Sequence, residues 1–167
     1  MTQFATTIIT DPIASGLPSD WTQVSGTFTA QVVADTTTSY TNRILNTSSV
    51  GASGDITWNV PGSQSDQEVL ALVMFSGTLG FPGTLTTVCV RHQGVALQFY
   101  TIGFILASSS GGTSWQFGGG IGSPVSFTWS ANTWYWVRLN VTGTTLSGKV
   151  WAMGDCEPAS FQSTATD

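Results

Sequence analysis

Charge is what this 167-residue chain has least of: 8% of its residues are Asp, Glu, Lys or Arg, with four cations against nine carboxylates. Four basic residues cannot track a phosphate backbone, so no nucleic-acid partner is expected. Lys, Glu and Arg normally coat surface helices, and their scarcity argues against a helical domain. No apolar run approaches the roughly 18 residues of a membrane-spanning helix, so no membrane partner is expected either. Cysteine is equally sparse. Two cysteines do not make a disulfide framework. Cys89 lies in the apolar run Thr87-Val88-Cys89-Val90 and reads as a small buried hydrophobe, while Cys156 lies in the turn-like stretch Gly154–Pro158. A Cys89–Cys156 bridge is the weaker alternative. The first residues lack a basic region and a long apolar core, so no secretory leader is expected. Without one, the sequons Asn46-Thr47-Ser48 and Asn140-Val141-Thr142 read as chance matches in a Thr-rich chain.

Hydroxyls replace the missing charges, with 26 Thr and 20 Ser beside 41% apolar and 11% aromatic residues. A disordered chain pairs low hydrophobicity with high charge, and this one has neither. A chain near 150 residues can bury roughly 70% of its unfolded surface, enough for one globular domain, 1–167. Thr, Val, Trp and Phe runs between closely spaced Gly and Pro turns predict an all-β fold, a sandwich or a barrel. The expected strands are 4–10, 21–24, 27–33, 41–46, 55–60, 67–76, 84–91, 95–106, 113–117, 125–129, 133–142, 145–152 and 160–165. Segment 67–76 is a continuous apolar block that periodicity alone cannot assign, but its Val and Phe content favours a central strand. Ser108–Gly112 reads as a long loop, and Gly118-Gly119-Gly120 as a flexible turn outside any phosphate-loop context.

The clearest local signal is a hairpin. Tyr135, Val137, Leu139 and Val141 alternate with Trp134, Trp136, Arg138 and Asn140, and after Thr142-Gly143-Thr144 the pattern returns through Leu146, Gly148 and Val150. If the aliphatic set faces the core, Trp136, Arg138, Lys149 and Trp151 share the other face, where cation–π contacts can form. These four residues are the candidate glycan or partner face. A structural reading leads: the tryptophans pack beneath an overlying loop, 108–120, and the cations reach past them.

At these residues the chain resembles a known family. Ala131-Asn132-Thr133-Trp134-Tyr135-Trp136-Val137-Arg138-Leu139, with Val141–Leu146 and Lys149-Val150-Trp151, is similar to the concanavalin A-like, laminin-G-like jelly roll found in phage virion proteins. Leu17–Thr22, Tyr40–Leu45, Val90–Gly94 and Glu157–Asp167 extend the resemblance over nearly the whole chain. It implies a two-sheet antiparallel jelly-roll sandwich in a single domain. Such domains serve lectins, glucanases, carbohydrate-binding modules and virion surface proteins, so the fold does not fix the job. Family members usually continue past the Thr-Ala-Thr-Asp segment. The sandwich is therefore trimmed, or the sequence is part of a longer product, or a neighbouring chain completes the sheet.

The chemistry is sparse. Family glucanases carry Glu-x-Asp-x-x-Glu on one strand, and a retaining mechanism needs two carboxylates roughly 5 Å apart. Here Asp66-Gln67-Glu68 leads into an apolar strand, which reads as a charged strand start. His92, the only histidine, has no nucleophile elbow with it and reads as structural. Asp55, Asp66 and Asp155 are isolated and make no Ca²⁺ loop. No enzyme activity, cofactor or metal is expected. The expected function is that of a phage virion structural protein on the particle surface, a capsid decoration or accessory protein. Its partners are then the major capsid protein, tail proteins or further copies of itself. The alternatives are a lectin-like module for host or mucus glycans and a tail-associated protein of the same fold.

Overall fold

A computed structural model describes residues 21–26, 29–34, 42–47, 54–58, 65–75, 84–91 and 100–167. The expected strand 4–10 and His92 lie outside the described residues. The chain divides into two compact units. The first contains strands β1 (Trp21–Gly26), β2 (Thr29–Ala34), β3 (Asn42–Thr47) and β4 (Gly54–Trp58). In it β2 pairs antiparallel with β3, and β1 with β4.

The second unit is a β-sandwich of two antiparallel sheets. Its strands are β5 (Gln67–Val73), β6 (Thr84–Val90), β7 (Tyr100–Ile105), β8 (Gly111–Phe117), β9 (Val125–Ser130), β10 (Tyr135–Thr142), β11 (Thr145–Ala152) and β12 (Ser163–Thr166). One sheet has the order β12-β11-β10-β5 and the other β6-β7-β8-β9. The apolar block that periodicity left open is strand β5, paired along its whole length with β10. Alternation explains β10, whose Tyr135, Val137, Leu139 and Val141 are buried while the residues between them are half-buried. Gly143, with φ of +56°, opens the two-residue turn that pairs Thr142 with Thr145. Glycine suits the first central position because mirror-type hairpin turns need a positive φ there.

Between the sheets the aliphatic face of β10 and β11 meets Trp115, Trp129, Phe104 and Phe117, all at most 1% exposed. Phe104 meets Trp129 edge-on with centroids 5.2 Å apart and planes at 83°, and Trp115 meets Phe117 likewise at 5.6 Å. Edge-on pairs place the positive ring edge against the negative face, which adds to what burial contributes. The Trp129 indole N–H donates to the Ile105 carbonyl at 3.2 Å. The stretch expected as a long loop, Ser108–Gly112, is shorter. Gly111 and Gly112 are buried in β8, and Ser108 bridges Gly111 across a tight turn. A Cβ on Gly112 would collide with the Ile105 carbonyl oxygen, so this strand start needs glycine for close backbone approach.

Candidate functional site

The register of β10 and β11 places Trp136 opposite Trp151 and Arg138 opposite Lys149. The four nominated residues therefore share the sheet face turned away from the sandwich core. The two indoles stack, with centroids 6.3 Å apart and planes at 21°. On the other side of β10, strand β5 sets Leu70 opposite Arg138 and Glu68 opposite Asn140. Directly opposed like charges repel on a sheet. Arg138 and Lys149 need carboxylates, and two glutamates supply them.

Arg138 Nη1 lies 2.6 Å from Glu68 Oε1, and Asn140 Nδ2 donates to Glu68 Oε2 at 3.2 Å. The other side of the guanidinium meets Glu157: Nη2 donates to Oε2 at 3.2 Å. Nε is 3.1 Å from Glu157 Oε1, an ion-pair distance without the alignment of a hydrogen bond. Lys149 Nζ completes the arrangement, donating to Glu157 Oε1 at 3.0 Å and to the Pro158 carbonyl at 2.6 Å. Its ammonium also stands 5.0 Å from the Phe161 ring centroid. These are charge-assisted contacts, the strong kind. Lys149 is 8% exposed and Trp151 7%, so both are buried although they point away from the core.

Sequence reasoning placed the two cations side by side but missed Glu68, Glu157 and Phe161 as their partners. It also expected loop 108–120 to cover the face. Instead Trp115 and Phe117 of that stretch belong to the core, and residues 157–162 lie over Lys149. Gln162 fixes that segment to the strand, accepting from the Val150 N–H at 2.7 Å and donating its own N–H to the Gly148 carbonyl at 2.9 Å. One signal was available. Glu68 and Glu157 are the only glutamates in the chain and Lys149 its only lysine. The three meet around Arg138.

A second group gathers near the β10–β11 turn. Asp66 accepts from the Gly143 N–H at 2.9 Å and lies 3.6 Å from Arg91. Arg91 stands over the Tyr100 ring, and the Tyr100 hydroxyl donates to Asp167 at 2.5 Å. That hydrogen bond raises the Tyr100 pKa above its ordinary value, because removing the proton would set two negative oxygens together. Asp66 and Glu68 thus take structural partners, as a charged strand start should. Neither cysteine is in a disulfide; Cys89 is half-buried and Cys156 exposed.

A shallow depression of about 220 Å³ is lined by Ser108, Ser110, Thr113 and Ser130 beside Trp129. Trp129 is 1% exposed, so it offers no ring face there. Among the described residues no three His, Cys, Asp or Glu converge on a possible ion, and no helix is long and apolar enough to cross a membrane. Comparison with protein-family models, with curated proteins and with solved structures finds no match.

Proposed function

We propose that the chain is a structural protein of a phage virion, displayed on the particle surface as a capsid decoration or accessory protein, and that its sandwich is a jelly roll. The resemblance of the hairpin 131–151 to virion domains supports this reading. So does one observation of geometry: the most charged face of the sandwich is neutralised from within, two cations against two glutamates, and is closed by the chain's own residues 157–162. Outside that cluster, β9 presents the exposed hydroxyls of Ser126, Thr128 and Ser130 and ends its sheet among the described residues. A surface of that kind binds by shape and edge pairing, the mode of a protein fitted into an assembly. Mass spectrometry of purified particles should contain this chain in stoichiometric amount, and particles free of it refute the proposal.

The carbohydrate alternative rests on Trp136, the more exposed of the stacked pair. A glycan array separates the two readings. A lectin binds a defined sugar and loses it in Trp136→Ala; a purely structural virion protein binds particles and no sugar.

A further inference from the structure

The segment Met153–Asp167 leaves β11 through a tight turn and returns along the same strand. Residues 153–157 are exposed, and Gly154 sits in that turn at φ of +106° with open space where a Cβ would be. Beyond the turn the segment is held mainly by groups on β10 and β11: Glu157 by Arg138 and Lys149, Phe161 by Lys149, Gln162 by Val150 and Gly148. β12 then adds a four-residue ladder on β11, Thr145 to Gly148 against Ser163 to Thr166. Most of the segment is exposed, including Phe161 at 41%. Polar contacts and exposed residues mark the part of a fold that opens first.

The geometry points to exchange of this segment between two copies of the chain: in a dimer, Met153–Asp167 of one copy occupies on the other the place it fills on its own. Three features carry this. The seat is chemically specific, a guanidinium and an ammonium converging on one carboxylate, so it selects a segment carrying a matching acid. The segment's only glutamate, Glu157, is that acid. Every contact outside the hinge is reproduced in the exchanged form, which closes by two-fold symmetry and leaves no seat empty. The hinge itself holds a glycine, which can trade its left-handed turn for an extended path without steric cost. The partner is therefore a second copy, and the surface is the β11 edge with Arg138 and Lys149. This inference stands whether or not the chain belongs to a virion.

Complementary charge reversals test it. Glu157→Lys disables the segment and Lys149→Glu disables the seat, so each protein alone repels its own segment. Mixed in equal amounts, they should form a one-to-one heterodimer in native mass spectrometry, while the doubly substituted chain returns to the behaviour of the unmodified protein. A mixture that stays as separate species overturns the proposal. Gly154→Val supplies a second test that spares the charges. A β-branched residue is strained at that φ, so the turned-back form is penalised. Sedimentation equilibrium should then show a dimer that grows with concentration, and a monomer at every concentration overturns the exchange even if a charge variant fails to fold.

Discussion

Arg138 and Lys149 sit directly opposite one another on β10 and β11, and they hold Glu157 between them at 3.1 and 3.0 Å. Two cations in register would repel. With Glu157 in place they bind the chain's C-terminal segment to the sheet. Removing the carboxylate both loses those contacts and restores the repulsion. Glu157 is about one-third exposed, so solvent screens part of the effect and the cost stays well below that of a fully buried pair. Glu157→Gln should lower stability by about 1–2 kcal/mol. Urea denaturation followed by tryptophan fluorescence checks it, and an unchanged midpoint denies the contact any weight.

The core makes a ranked prediction through two glycines. A Cβ on Gly148 would stand 2.9 Å from ring atoms of both Phe117 and Trp115. Overpacking of that kind costs about 1–3 kcal/mol for Gly148→Ala, because side chains can shift. Gly112→Ala should cost more, since its Cβ meets the Ile105 carbonyl of the backbone, which the β7–β8 ladder holds in place. Paired thermal melts decide the order.

The Tyr100 hydroxyl gives a pH dependence. Its folded pKa lies above the ordinary value because Asp167 accepts its proton in a hydrogen bond. The stabilisation is fully present below the unfolded tyrosine pKa of about 10 and is lost as pH rises through the raised folded value. Ultraviolet titration should therefore show one tyrosine ionising late, and Asp167→Ala should bring it down. If the titration curve does not move, the hydrogen bond is absent in solution.

Thiol reactivity should separate the cysteines. Cys156 is exposed and Cys89 half-buried on β6. Native protein should release one fast equivalent with a disulfide reagent and the second on unfolding, and Cys156→Ser should abolish the fast phase. A chain with no reactive thiol before reduction would restore the Cys89–Cys156 bridge.

How much of this was legible depends on distance along the chain. The β10–β11 hairpin was readable because sixteen residues alternate without a break around a glycine turn, which fixes register and face together. Arg138 beside Lys149 followed directly. Their partners did not, since Glu68 lies 70 residues from Arg138 and Glu157 lies 19, and alternation carries no information across such gaps. Gly111 and Gly112 were misread for a local reason. Glycine reads as a turn residue, yet here it occupies a strand because the Ile105 carbonyl leaves no room for a side chain. The cover over the nominated face was misplaced because much of the stretch 108–120, expected to overlie it, forms strand β8, whose Trp115 and Phe117 fill the core.

The central claim is that Glu68, Arg138, Lys149 and Glu157 form one charged cluster that fastens residues 157–162 to the β10–β11 face. The Val150 amide reports that fastening directly, because its N–H donates to Gln162 of the segment. Hydrogen exchange resolved by residue should show Val150 exchanging about 10-fold faster in Glu157→Gln, the factor that about 1.4 kcal/mol of local opening produces. Val137 and Leu139, fully buried in the core, should lose no more protection than the change in global stability allows. No acceleration at Val150, or a smaller one there than at Val137 and Leu139, would contradict the account.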